Sequence, residues 1–447
     1  QWEVQPVNKQ KWLDRALEKG FEAAEIYESA SKSREITWFA GSMDKMEISQ
    51  TDSVGIRVLD DGSLANTGLE KLDDSIMDEV LDSLRQQAAT ITSEDRTQFV
   101  APMDTDLVVK EKTWAVPETA EVKELLADLE QRILAYDERI FQVTTLGWSQ
   151  SEGSRAISNT LGLETGDEDY VQYVVAGAAG RQDDRIQDWY LIKVVPSIDT
   201  FDREAFVKEL CDEVLHRLDA ASIPSRTCPV ILHREAMTSL LGAFAGLFSG
   251  DLISKGISPL KGKLHEKIFS DKITIIDDPR NTDALTIANF DDEGYPTRRK
   301  LVVDHGVFET ILHNQQSAAR MQTESTGNGF KGGYASPVSV SPMNLYIEPG
   351  DQSLAQLEER MQDGLVITDL EGLHAGIDFV STNFSLQARG YLVQGGKRTQ
   401  SVTLITAAGS FMELMNDVTA VGSDIDWSYR QLVSPSILFG KMAISGE

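Results

Sequence analysis

Residues 229–255 read PVILHREAMTSLLGAFAGLFSGDLISK, and this stretch decides the fold of the second half of the chain. Residues 229–233 form a short apolar run typical of a strand, whereas 235–248 is long enough for a helix. That helix is apolar nearly all round, which is typical of a helix buried on every side. After it come short β-like runs and Gly-rich turns. We therefore predict a β-rich domain, with an antiparallel, barrel-like sheet and one buried helix.

The first half has a mixed pattern. An N-terminal helix is followed by β-like runs at 23–31, 34–39, 45–50 and 54–59, and turn signals separate them. Further helices are predicted at 117–136 and 203–220, with β-like sequence between them. The segment 221–227 contains Pro224 and is typical of a connector. The fold class is therefore α+β, with a mixed α/β domain at 1–222 and the β-rich domain at 223–447.

Composition restricts the classes of partner. The chain has 447 residues, and 42 Lys and Arg against 71 Asp and Glu give a net charge of −29. Nucleic acids and anionic lipid surfaces bind clustered positive charge, so we expect neither as a partner. No apolar run approaches the ~20 residues of a membrane-spanning helix. Two cysteines in so long a chain form no disulfide framework. The polar segment 1–11 has no signal-peptide core, so we expect a cytoplasmic protein, and a start at Gln1 suggests that an initiator Met is missing.

Catalytic motifs are absent from the sequence. His265-Glu266 is the one His-Glu pair, and neither Phe269 nor Ser270 can supply the second ligand of a zinc-peptidase helix. Cys228 and His233 lie five apart on one predicted strand, so their side chains point to opposite faces. The acidic run 291–294 lacks the ligand spacing of a calcium loop, and we interpret it as a solvated turn.

The order of several segments in the second half nevertheless resembles the TldD/TldE (PmbA) family. These proteins were once described as modulators of DNA gyrase and are now described as metallopeptidases of peptide maturation. The similar segments are 240–255, 291–298 with 303–307, 325–329, 390–393, 405–411 and 418–424, together with 54–58 and 61–62 near the N-terminus. No single segment is specific, but the ordered set is, and it spans essentially the whole chain.

The family has two kinds of member. The TldD type holds zinc with His-Glu-x-x-x-His on the central helix and a later Cys, whereas the TldE/PmbA type lacks these residues. In this sequence the His positions correspond to Gly242 and Leu247, the Glu position to Ala243 and the Cys position to Val421. None of these four residues can ligate zinc or transfer a proton. We call them the zinc positions.

The resemblance thus implies a TldE/PmbA-type chain with no catalytic residue and no metal or cofactor of its own. It implies a TldD-like partner subunit that carries zinc, a peptide substrate, and a homodimer when the chain is alone. Candidates for a peptide groove are Thr326, Gly327, Asn328 and Gly329, for which a tight turn is the competing interpretation, and Gly409, Ser410 and Phe411. Two alternatives stay open. One is a stand-alone peptidase that uses Cys228, His265 or His313, and the other is a peptide-binding scaffold without enzymatic activity.

Overall fold

A computed structural model describes residues 8–91, 97–111, 113–427 and 430–447. Most of the N-terminal segment on which the signal-peptide prediction rests, residues 1–7, lies outside this range. The elements of the first half are helices α1 (Lys9–Glu18), α2 (Met77–Thr90), α3 (Thr119–Leu134) and α4 (Arg203–Asp219), and strands β1 (Ala23–Phe39), β2 (Ser42–Asp60), β3 (Ser63–Leu69), β4 (Ile140–Asn159), β5 (Glu164–Gln182) and β6 (Arg185–Val194).

These strands form an antiparallel six-stranded sheet in the order β3-β2-β1-β4-β5-β6. Residues of α1 and α2 pack against β1, β2 and β3 in one core cluster. Residues of α3 and α4 pack against β1, β4 and β5 in another, around the buried Trp148. The predicted runs 23–31 and 34–39 are one continuous strand, and so are 45–50 and 54–59. The sheet is therefore built from fewer and longer strands than expected.

The second half contains strands β7 (Arg226–Leu232), β8 (Ile275–Asp277), β9 (Lys300–Asp304), β10 (Val307–Phe308), β11 (Gly329–Lys331), β12 (Val338–Val340), β13 (Leu345–Ile347), β14 (Gly364–Glu371), β15 (Ile377–Asp378), β16 (Asn383–Gln394), β17 (Lys397–Ser410), β18 (Val418–Val421), β19 (Leu432–Val433) and β20 (Ile437–Ser445). Its helices are α5 (Arg234–Phe244), α6 (Gly250–Ser254), α7 (Gln315–Arg320), α8 (Leu354–Met361) and α9 (Phe411–Asn416). Short 3-10 helices lie at Ile198–Thr200 and Ala245–Phe248.

Two sheets enclose the core of the second half. The larger follows the order β14-β7-β20-β17-β16-β15, with β18 beside β20, and the smaller follows β10-β9-β8-β13-β19. Most pairings are antiparallel, as predicted, but β14 runs parallel to β7 and β13 runs parallel to β19. Helix α5 belongs to this core, where Phe244 stacks on Phe411 with ring centroids 4.6 Å apart. The α+β fold with a helix in a β-rich domain is confirmed.

The first and second halves of the chain pack closely against each other. A Cβ atom placed on Gly55 of β2 would lie 2.2 Å from the carbonyl oxygen of Tyr334, so only glycine fits this crossing. Arg155 of β4 pairs with the carboxylate of Asp292, which also accepts a hydrogen bond of 3.1 Å from the hydroxyl of Tyr27. No helix within the described ranges combines the length and apolar character needed to cross a bilayer.

Candidate functional site

Three of the four zinc positions lie on helix α5 or in the 3-10 segment that follows it, and the fourth lies on β18. The helix begins after His233, whose Nδ1 accepts a hydrogen bond from the backbone N–H of Glu235 at 3.4 Å. Gly242 is exposed on the helix face opposite the core, and a Cβ atom built there meets nothing within 4 Å. Leu247 is fully buried in the 3-10 segment, and Val421 is half-buried at the end of β18. The residues at these positions do not fit zinc, because none offers a nitrogen, oxygen or sulfur side-chain donor.

The exposed face of α5 was missed by the sequence analysis. Met237, Leu240 and Phe244 are fully buried, but Ser239 and Ala243 are only half-buried and Gly242 is exposed. The outer face of the helix carries small side chains in place of charged ones. For this reason the sequence is apolar nearly all round, although the outer face is not fully buried. Within the described parts of the chain, no group of three or more His, Cys, Asp or Glu side chains is arranged to hold a metal ion.

Residues 326–329, predicted as one wall of a peptide groove, form a buried turn. The backbone N–H of His313 donates to Thr326 Oγ1 at 2.7 Å, and Asn328 Nδ2 donates to Asp277 Oδ2 at 2.8 Å. Gly327 adopts a φ of +72°, which favours glycine in such a turn. These residues are thus placed inside the domain, where their polar groups bond to other protein groups, and their role as a groove wall stays a prediction.

The second set of groove candidates is divided between surface and core. Gly409 is exposed and Ser410 is half-buried. Ser410 Oγ accepts a hydrogen bond from the backbone N–H of Glu413 and so caps α9. Phe411 is fully buried against Phe244. Only the first two residues could therefore contact a ligand without rearrangement of the core.

The three residues of the stand-alone alternative have separate environments. Cys228 pairs with Met442 across β7 and β20, and burial raises the pKa of its thiol, which disfavours the nucleophilic thiolate. His313 is buried, its Nδ1 lies 3.0 Å from Ser317 Oγ, and burial lowers its pKa to about 4. His265 is exposed beside Glu309, with 3.0 Å between Nδ1 and Oε2. The one hydroxyl–imidazole contact among them, that of Ser317 with His313, is buried on both sides, at 1% and 4% exposure.

The acidic run 291–294 is buried, and its interpretation as a solvated turn is wrong. Asp291 is fully buried and accepts hydrogen bonds from the backbone N–H groups of Glu293, Tyr295 and Gly329 at 2.9–3.0 Å. Burial raises the pKa of Asp291 well above its usual range and also raises that of Glu293. Two of these donors are local, but Gly329 and the cationic partners of the run, Arg57 and Arg155, lie far away in sequence. No local pattern could therefore have revealed the burial.

Arg57 is the most deeply buried of these distant partners. Its side chain is 4% exposed and pairs with the fully buried Glu25 at 2.7 Å and with Glu293 at 3.7 Å. Lys331 lies over the ring of Tyr27, and burial lowers its pKa to about 8. This ionic cluster joins the six-stranded sheet to the second half, which makes it a structural connection between the halves.

A cavity of about 340 Å³ lies between β6 and the second half. One wall is formed by residues 189–193 of β6. The other contains Ser239 of α5, Thr368 of β14 and Tyr391 of β16. The cavity thus adjoins the exposed face of α5, one helical turn before Gly242.

Comparison with known proteins identifies the class of the chain. Family models described as PmbA/TldA metallopeptidase domain 1, central domain and C-terminal domain match residues 24–88, 112–218 and 225–446. The chain therefore belongs to the PmbA/TldD family of metallopeptidase-like proteins.

Among the similar proteins, some are named PmbA and one is named TldE. The chain is 24% identical to metalloprotease PmbA of Escherichia coli O157:H7, over 95% of this chain and 93% of that protein. It is 27% identical to a metalloprotease PmbA homolog of Haemophilus influenzae, over 72% and 69%. A crystal structure of a putative DNA gyrase modulator from Thermotoga maritima superposes with a TM-score of 0.85, 27% identity, and coverage of 98% and 99%. TldE from Thermococcus kodakarensis shares the fold, with a TM-score of 0.87, 21% identity, and coverage of 98% and 100%.

Proposed function

We propose that this chain is the non-catalytic, TldE/PmbA-type subunit of a TldD/TldE-type metallopeptidase complex that acts in proteolysis and peptide maturation. One observation carries the proposal. At the zinc positions this family member has an exposed Gly242, a half-buried Ala243, a fully buried Leu247 and a half-buried Val421. Zinc, activated water and proton transfer would therefore belong to a TldD-like partner subunit, and this chain has no cofactor of its own.

The six-stranded sheet offers a surface for such a partner. Strand β3 pairs with β2 only from Val54 to Asp60, so among the described residues the outer edge of β2 before Val54 has no neighbouring strand. Exposed apolar side chains lie there at Met43, Met46 and Ile48, the last 61% exposed. A long unpaired edge with apolar side chains tends to associate with another chain. In the absence of the partner, the same edge could pair with a second copy and give a homodimer.

The remaining features fit this assignment. The two cysteines are free, which suits the reducing cytoplasm where we place the complex. Some relatives have been described as modulators of DNA gyrase. The net charge of −29 nevertheless argues against direct binding of DNA by this chain. The role of the chain would be to complete and position the peptide-binding surface, a contribution of orientation and not of chemistry.

Peptide cleavage by the chain alone and by the chain co-purified with a TldD-like protein tests the proposal. We expect cleavage only in the complex. We also expect it to persist when Cys228→Ser, His265→Gln or His313→Asn is introduced into this chain. Cleavage by the isolated chain that one of these substitutions abolishes would establish the stand-alone peptidase instead. Failure of the chain to associate with any TldD-like protein would favour the scaffold without enzymatic activity.

A further inference from the structure

The junction between the two halves contains more acidic than basic side chains. Its cations lie on β2, β4 and β11, and they are Arg57, Arg155 and Lys331. Its carboxylates lie on β1, on β5 and in the turn before β9, and they are Glu25, Asp167, Asp291, Asp292 and Glu293. If every group were ionised, negative charge would exceed positive charge in a largely buried region.

Arg57 is shared among several carboxylates. Its Nη2 lies 2.7 Å from Glu25 Oε1, and its Nη1 lies 3.7 Å from Glu293 Oε1. Among the described residues, Glu25 Oε2 is buried without a hydrogen-bond partner, and the fully buried Asp291 takes part in no ion pair. One guanidinium therefore serves three buried carboxylates, and ionisation of all three leaves negative charge uncompensated at low dielectric.

The other two cations do not supply the missing charge. Arg155 pairs with two carboxylates of its own, those of Asp167 at 2.8 Å and Asp292. Lys331 lies over the ring of Tyr27, 4.2 Å from its centroid, and within the described chain it forms no ion pair. Burial lowers the pKa of Lys331 to about 8 and raises that of Tyr27. Below pH 7.5 most of the amine is therefore charged and the phenol is neutral.

Asp291 and Glu293 both contact Gly329, the first residue of β11, and we call them the carboxyl pair. The backbone N–H of Gly329 donates to Asp291 Oδ2 at 2.9 Å, and a Cβ atom placed on Gly329 would lie 2.6 Å from Glu293 Oε2. Burial raises the pKa of both groups, and the charge of Glu293 raises that of Asp291 further. Backbone N–H groups favour ionised Asp291, whereas Arg57 favours ionised Glu293. A retained proton would therefore belong to the pair and not to either residue.

We propose that the carboxyl pair retains one proton in the folded chain at neutral pH, and that the contact between the two halves weakens as rising pH removes this proton. In the unfolded chain both groups are ionised above about 4.5. Stability therefore falls with pH throughout the range in which only the folded pair binds the proton. His313 lies two residues before Gln315, whose N–H donates to Glu293, and burial lowers its pKa to about 4, so it stays neutral in this range.

Urea denaturation of the isolated full-length chain between pH 5.5 and 7.5 tests for the proton. Asp291→Asn removes one titrating group and the repulsion that raises the pKa of the other, so its unfolding should no longer release this proton. The ratio of the unfolding constant of the wild type to that of the variant is expected to rise by up to about tenfold per pH unit, the slope of one proton. A hydrogen bond lost in the variant changes the ratio equally at every pH and leaves the slope unchanged.

Two further variants complete this measurement. Glu293→Gln removes the other member of the pair and should give the same slope, which keeps the test available if Asp291→Asn does not fold. Asp378→Asn is the matched control. Asp378 also accepts backbone N–H bonds, from Val380 and Ser381, but it is exposed, so its variant should keep the pH dependence of the wild type.

Hydrogen–deuterium exchange follows the junction itself. The backbone N–H of Lys331 donates to Asp292 at 2.8 Å and so reports on the contact without being bonded to either member of the carboxyl pair. Its protection, corrected for the intrinsic exchange rate, should fall between pH 5.5 and 7.5 in the wild type and in Asp378→Asn. In Asp291→Asn the same protection should stay constant.

A ratio of unfolding constants that does not change with pH would overturn the retained proton. Loss of the pH dependence in the Asp378→Asn control would also overturn it. A sloping ratio with constant protection of the Lys331 amide in the wild type would overturn the weakening of the contact. Because both measurements use this chain alone, neither result depends on a partner subunit or on peptide cleavage.

Discussion

Replacement of Arg57 by leucine is expected to destabilise the protein strongly. The guanidinium is 4% exposed, and its Nη2 lies 2.7 Å from Oε1 of Glu25, which is fully buried. A second buried carboxylate, that of Glu293, lies 3.7 Å from Nη1. The substitution removes the guanidinium that pairs with both carboxylates, and the loss of one partner from a buried pair costs about 3–5 kcal/mol. The expected decrease in the free energy of unfolding is of that size.

The deficit should depend on pH. Burial raises the pKa of Glu293 above 4.5, and the charge of Arg57 opposes this effect. Without Arg57 the pKa rises further, so the folded variant binds a proton that the unfolded chain binds only below about 4.5. A carboxyl group with a raised folded-state pKa contributes stability that is lost as pH rises through that value. Arg57→Leu should therefore be less destabilising at pH 5 than at pH 8.

Urea denaturation followed by tryptophan fluorescence at pH 5 and pH 8 provides the measurement. Glu25→Gln added to Arg57→Leu should restore part of the loss, because it removes one of the abandoned charges. Lys208→Met, which breaks an exposed pair with Asp212, is the control and should change little. A deficit below about 1 kcal/mol, or one that is equal at both pH values, would refute the account of the buried cluster.

Four further predictions follow from single positions. Gly242→Ala should raise the free energy of unfolding by about 0.5–1 kcal/mol in denaturation, since it adds a Cβ to open space in a helix. Leu247→Ala should lower the free energy of unfolding by about 2–5 kcal/mol, because Leu247 is fully buried. Gly55→Ala should cost about 1–3 kcal/mol, since its Cβ would lie 2.2 Å from the carbonyl oxygen of Tyr334, and stability equal to wild type would contradict that close approach. His313, with its pKa lowered to about 4, should stay neutral at pH 6 in an NMR titration, and its contribution to stability should be lost as pH falls from about 6.5 towards 4.

Local sequence patterns predicted which helices and strands form better than they predicted where each begins and ends. The apolar face of α3 and the short apolar run of β7 are periodic signals, and both elements formed where expected. The sequence prediction divided strand β1 at Lys32 and Ser33, because turn signals were taken to separate the β-like runs. In the structure these residues pair with Gln50 and Ser49 on β2, so neighbouring strands keep the backbone extended. Hydrogen-bonded pairing between strands that are distant in sequence cannot be read from a local sequence pattern.

The candidate site illustrates a second difficulty. Contiguous acidic residues such as Asp291 and Asp292 are usually exposed. Here Asp292 is buried against Arg155 and Tyr27 from the other half of the chain, and Asp291 accepts hydrogen bonds from backbone N–H groups that include that of Gly329. The cavity beside β6 likewise depends on the packing of two halves that are far apart in sequence. The zinc positions, in contrast, were assigned from the ordered resemblance alone, and that assignment stays a prediction.

The zinc content of the purified chain, alone and in complex with a TldD-like protein, tests the central claim most directly. Elemental analysis should find no stoichiometric zinc in the isolated chain and one zinc per complex. The zinc of the complex should remain when Gly242→Ala is introduced into this chain, because the ligands would all belong to the partner. One tightly held zinc in the isolated chain would contradict the account, since it would require ligands from outside the zinc positions.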